Sequence, residues 1–186
     1  MAVTEVYTFN DFLLDAGMLF VGSTPVGWGP TRGGLRFAPG ITTRSPEFDG
    51  LTTPIVGQPR VTEYQSVISG NIADKTVASV GRLLPGNTSD GSSNNVIRPR
   101  NARSFISSGD SLADVLLVHR GSNGVSEGVW FKYALVSTWE QTGEDNNEVI
   151  RAVTIIALLP STDSPNAPPF RIVNPFVGSS FAFAGW

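Results

Sequence analysis

Three apolar runs, Leu112–Arg120, Val129–Glu140 and Glu148–Leu159, constrain the fold of this 186-residue chain more than any other feature. Each is rich in aliphatic or aromatic residues, and turn-forming residues separate them: Gly121-Ser-Asn-Gly124 after the first, Thr142-Gly-Glu-Asp-Asn-Asn147 after the second. That spacing predicts an antiparallel meander. The runs are apolar on both faces, as in Val115–Val118, Val129–Phe131 and Ile155–Leu159. A sheet with one wet face alternates instead, so the second face of this meander needs a cover. Either both faces lie between protein layers within the monomer or a neighbouring subunit covers the second; with one short helical segment there is little internal material, so the subunit is the favoured cover.

Arg60–Ala73 carries a different pattern. Tyr64, Ser66, Ile68 and Ile72 alternate with Glu63, Gln65, Ser69 and Asn71, which predicts one long strand with one buried face. The period then changes. Val77, Val80 and Leu83/Leu84 recur every three to four residues between Asp74, a suitable N-cap, and Pro85-Gly86. A helix over about 74–84 follows. Upstream, Ala16–Gly22 reads as a first strand, and residues 22–34 read as a Gly/Pro loop within a long loop over 22–58. That region holds extended pieces near Leu35–Phe37 and Arg44–Phe48. Residues 87–95 read as a polar loop, and Val96–Ser107 as a poor strand interrupted by Pro99. The expected organisation is an arm (1–16), a mainly β sandwich of antiparallel sheets with one flanking helix (17–160), and a Pro/aromatic tail (161–186) that docks on neighbouring subunits.

Catalytic equipment is scarce. There is no cysteine and one histidine, which excludes disulfides, thiolate nucleophiles and Cys/His zinc sites. Gly124-Val-Ser126-Glu-Gly128 matches a nucleophile-elbow pattern, but it falls between two strands and reads as a turn. Gly27-Trp-Gly29-Pro-Thr-Arg-Gly33 echoes a dinucleotide loop that Pro30 and the missing helix break. Glu144–Glu148 has oxygen ligands without calcium-loop spacing and reads as a solvated hairpin tip. No catalytic, cofactor or metal residue is expected, and no enzyme. Charged residues make up 16% of the chain against a usual ~25%. Only Lys75 and Lys132 are lysines, and the net charge is −3. Such a surface suits contact with other proteins better than phosphate neutralisation. Arg98, Arg100 and Arg103 form a small cluster suited to salt bridges with a neighbour. The first fifteen residues lack the pattern of a signal peptide, and the longest apolar stretch is far short of a membrane span, so no membrane insertion is expected.

The order of elements carries more than any motif. A GMLFVG strand leads to a long Gly/Pro loop and Pro46-Glu-Phe-Asp-Gly50; Val61–Gly70 runs into the single helix; the meander follows. Over roughly residues 17–160 this resembles the tail tube (major tail) proteins of long-tailed bacteriophages. The resemblance implies a sandwich whose copies form hexameric rings stacked into a tube, assembled in the host bacterial cytoplasm and carried in the virion tail. It implies a tape measure protein in the lumen, tail terminator and tail-tip or baseplate partners, and transient, non-sticky passage of DNA. A lumen for DNA favours acidic and neutral side chains over Arg and Lys. On that reading Glu63, Gln65, Ser69 and Asn71 are candidate lumen residues. Trp28, Arg32, Phe37, Phe48, Arg98, Arg100, Arg103, Phe176, Phe181, Phe183 and Trp186 are candidates for contacts between subunits or rings. Two alternatives stand beside it: another virion β-sandwich, such as a head decoration or connector protein, and a carbohydrate-binding module using Trp28, Trp130 or Trp139.

Overall fold

The computed structural model describes residues 17–22, 26–28, 31–45, 59–73, 83–84, 88–89, 97–98, 108–120, 126–143, 149–173, 176–177 and 180–181. Among them the chain is mainly β. Its strands are β1 (Met18–Val21), β2 (Val26–Gly27), β3 (Thr31–Ala38), β4 (Ile41–Arg44), β5 (Arg60–Tyr64), β6 (Val67–Ile72), β7 (Thr88–Ser89) and β8 (Ile97–Arg98). A 3-10 turn at Ser108–Asp110 precedes β9 (Leu112–Arg120), β10 (Ser126–Thr142), β11 (Ile150–Leu158), β12 (Arg171–Val173), β13 (Phe176–Val177) and β14 (Ser180–Phe181). An antiparallel sheet runs β2-β1-β9-β10-β11-β6-β3, with β12 also paired to β10. The pairs β4-β5, β7-β8 and β13-β14 stand apart from it.

The 17 residues of β10 organise the molecule. Its first part, up to Ala134, pairs with β9, and its second part, from Tyr133, pairs with β11. Two half-sheets result, hinged on one strand, and their inner faces meet in a sandwich-like core. Leu19, Val115, Leu117, Val129 and Phe131 from one half pack with Ile68, Ile72, Val153 and Ile155 from the other. Buried core positions along β10 are Val129, Phe131, Ala134 and Val136. The step of three between 131 and 134 breaks the alternation where the strand passes from one half to the other.

The three strong runs form β9, β10 and β11, as their patterning predicts. Other expectations are corrected. Arg60–Ala73 is two strands, not one: β6 lies in the large sheet, whereas β5 pairs only with β4. The break is fixed from across the chain. Gln65 N–H donates to Gly40 O at 2.9 Å, Ser66 Oγ donates to Pro39 O at 2.9 Å, and Ala157 N–H donates to Ser66 O at 2.9 Å. Gly40 adopts φ +56°, and a Cβ there would collide with Gln65 O, so the bend requires glycine. Within the expected loop over 22–58 lie β2, β3 and β4. Gly33 and Gly34, at φ 76° and 83°, make a bulge in β3 and do not end it.

The expected cover for the meander is corrected over β9 and the first part of β10. Leu116, Val118 and Trp130, on the second face of β9 and β10, are buried within the single chain, with Phe20 and Val173 packed against them. No neighbouring subunit is needed to keep that face dry. The start of the tail likewise docks on its own domain: β12 pairs with β10, and Phe170 packs edge-on to Phe37, with ring centroids 5.1 Å apart. The predicted helix lies outside the described residues except for Leu83 and Leu84, which form a turn.

Candidate assembly surface

The half-sheet β10-β11-β6-β3 presents an outer face made of cross-strand rows. Glu140, Ala152, Asn71 and Arg32 form one; Thr138, Thr154, Ser69 and Arg36 the next; Leu135, Ile156, Val67 and Ala38 the third. The alternation that buries Val153, Ile155, Ile68 and Ile72 on the inner face sends these residues outward. None of the twelve is buried, and Glu140, Arg32 and Arg36 are exposed. Among the described residues these three have no hydrogen-bond or ion-pair partner.

Both edges of this half-sheet are open among the described residues. β3 pairs only with β6. On the other side, β9 leaves β10 at Ala134, so residues 135–142 have a strand partner only in β11. A bulge at Ser137 interrupts this edge, and one at Gly33-Gly34 interrupts β3. Because all neighbours are antiparallel and the half has four strands, its two edges run in opposite directions.

Beyond the bend, β4 and β5 form a ribbon that leaves the sheet. Every residue of β4 and all but Tyr64 of β5 are exposed, including Ile41 at 50% and Val61 at 49%. A two-stranded ribbon is marginal in water by itself, so this one suits contact with another surface. At its base, β5 and residues 157–169 enclose an open cleft of about 370 Å³, lined by Val61, Glu63, Tyr64, Leu159, Pro165 and Asn166 among others.

The other half-sheet contains a buried charge cluster centred on Asp114. Asp114 accepts hydrogen bonds from Trp130 Nε1 at 3.1 Å and Lys132 Nζ at 2.9 Å, and Lys132 lies 5.5 Å from the Trp130 ring centre. Asp114 adopts φ 51° in mid-strand, a conformation Asp tolerates better than most residues. With its indole, ammonium and carboxylate groups engaged with one another, the cluster is a structural lock. His119 sits near the end of β9, opposite Glu127 and not Ser126, and Ser126-Glu-Gly128 opens the strand β10 and not a helix.

The predicted site residues separate. Ser69 and Asn71 lie on the outer face of the half-sheet. Glu63 and Gln65 do not: they sit on the ribbon and its bend, joined to each other by Gln65 Nε2 donating to Glu63 Oε1 at 2.7 Å. Among the contact candidates, Arg32 is exposed on the edge strand β3. Trp28 is buried in the core, and Phe37 packs against Phe131 and Phe170, so both rings are engaged inside the chain. Phe176 and Phe181 pair with each other through the backbone of β13 and β14, and Arg98 lies on β8. Phe48, Arg100, Arg103, Phe183 and Trp186 lie outside the described residues. Glu140 and Arg36 were not singled out by the sequence, because only strand pairing shows which residues occupy an open edge. Among the described residues, no group of acidic or histidine side chains could hold a metal ion, and no helix is long and apolar enough to cross a membrane.

No family model matches the chain, and no curated protein matches it. Among solved structures it is similar to the tube terminating cap of the anti-feeding prophage, with a TM-score of 0.49 and 11% identity over 94% of this chain and 99% of that chain.

Proposed function

We propose that this protein is a structural subunit of a phage-type tail tube, joined head-to-tail into closed rings that stack. One observation carries the reading: a four-stranded half-sheet whose two oppositely directed edges are open among the described residues, with an unburied outer face of two polar rows and one apolar row. Exposed strand edges invite uncontrolled pairing, and closure into a barrel removes them. An even number of strands lets β3 of one copy meet β10 of the next with the antiparallel pattern unbroken. Such a contact is heterologous and closes into a ring when the rotation allows.

The dimensions suit a conduit. Six copies would place roughly two dozen strands, spaced about 4.8 Å, on a circle at least about 37 Å across before tilt widens it. Ser69, Asn71, Thr138 and Thr154 would line that barrel with small neutral groups. The β4-β5 ribbon, with Ile41 and Val61 exposed, would reach a neighbouring copy or ring. A tape measure protein in the lumen and terminator and tip proteins at the ends are the partners such a tube requires. A carbohydrate-binding surface has little support, since Trp28 and Trp130 are buried and Trp139 is the one of the three suggested rings that is exposed.

Negative-stain electron microscopy of the purified chain at rising concentration tests the proposal. Rings or tubes with a central channel are expected. A compact monomer at every concentration would overturn it.

A further inference from the structure

We infer that a charge match between the two open edges sets the seam between copies: Arg32 and Arg36 on β3 of one copy against Glu140 on β10 of the next. The inference rests on the ring proposal and specifies its contact. Glu140 and Arg32 end the same cross-strand row, at opposite edges of the half-sheet, and Arg36 ends the adjacent row. When a second copy continues the sheet in register, its Glu140 arrives beside Arg32. A shift of one row brings it beside Arg36. All three side chains are exposed and lack partners among the described residues, so each is available to a neighbour.

The occupant of the edge is a second copy, and not an unrelated strand, because the complement to each edge lies on the other. The three outer rows otherwise hold only Ala, Asn, Ser, Thr and the aliphatic Leu135, Ile156 and Val67, so these are their only charges. Two copies meeting β3 to β3 would oppose four arginines, and two meeting β10 to β10 would oppose two glutamates. Like charges at a contact suppress wrong pairings, so the arrangement favours the head-to-tail contact over both symmetric ones. It also answers how a lumen for DNA tolerates arginine: each guanidinium pair would be partly neutralised by the neighbour's carboxylate and less free to hold phosphate.

Charge reversal tests the seam. Glu140→Arg, and separately the pair Arg32→Glu with Arg36→Glu, should each raise the protein concentration needed for ring formation by about tenfold or more, with thermal unfolding unchanged. Mixing the two variants in equal amounts should restore rings in which they alternate, since each then offers the complement of the other. Raising salt to 1 M, where screening acts within about 3 Å, should weaken wild-type assembly. Reversed variants that assemble at the wild-type concentration would overturn the seam and leave the ring proposal standing. So would folded variants whose mixture does not recover. An unaltered chain that never assembles would overturn both.

Discussion

The two half-sheets of this protein share a strand and differ in what covers them. The β1-β9-β10 half is dry on both faces within one chain: Leu117 and Phe131 face the core, while Leu116, Val118 and Trp130 face the other way and are equally buried. The β10-β11-β6-β3 half is dry on one face only, and both its edges are open among the described residues. Both halves build the common core, but only the second also has a face and two edges to offer outward. Substitutions should sort accordingly, with those in the first half felt in stability and those on the outer second half felt in assembly.

The largest expected effects sharpen that contrast directly. Leu116→Ala and Leu117→Ala point to opposite faces, yet each should cost about 2–5 kcal/mol, because each leaves a cavity in close-packed surroundings. Chemical denaturation measures this, and a cost for Leu116→Ala below about 1 kcal/mol would show that its face is not held dry by the chain itself. Next in size is Asp114→Ala. It removes the carboxylate that engages Trp130 and Lys132, and should cost about 1–3 kcal/mol, since Lys132 is partly solvated and its loss of a partner is cushioned. Asp114→Asn should cost less, because Asn also tolerates the left-handed conformation and can accept the indole N–H.

Gly40→Ala probes the connection between the sheet and the ribbon. The added Cβ meets Gln65 O, and an alanine is strained at φ +56°, so a loss of more than about 1 kcal/mol is expected in thermal melts. The smallest effects on folding belong to the open surfaces. Ile41→Ser and Val61→Ser in the ribbon, and Ser69→Ala or Thr154→Ala on the outer face, should shift stability by less than about 0.5 kcal/mol. The two ribbon changes should nevertheless reduce assembly in sedimentation assays. Unchanged assembly together with a loss of stability would reverse the roles of the two regions.

Sequence patterning located what depends on local periodicity. β9 spans the predicted Leu112–Arg120, and β6 sends Ser69 and Asn71 outward as alternation requires. It failed where a distant backbone decides. The break at Gln65-Ser66 rests on Pro39 and Gly40, which lie far upstream in the chain, and nothing in the alternating run announces it. Gly33-Gly34 has the composition of a loop and acts as a bulge, because β6 supplies pairing on both sides of it. The cover over Leu116, Val118 and Trp130 includes Phe20 and Val173 from opposite ends of the chain, which no local window connects. The open edge that exposes Glu140 exists only because β9 ends where β11 begins to pair, and the left-handed Asp114 sits in a run that otherwise reads as ordinary strand.

The most direct test of the account is whether β3 of one copy meets β10 of another. The chain has no cysteine, so introduced thiols report without interference. Arg36→Cys combined with Thr138→Cys places the two thiols in one row but three strand spacings apart, about 14 Å, well beyond the roughly 7 Å Cα separation a disulfide can span. A second pair, Arg36→Cys with Glu140→Cys, covers a seam shifted by one row. Under oxidation one of these should give a ladder of covalent oligomers that stops at the ring, at six copies. A chain that stays monomeric in both pairs, or stops at dimers, would contradict a head-to-tail ring closed through this half-sheet.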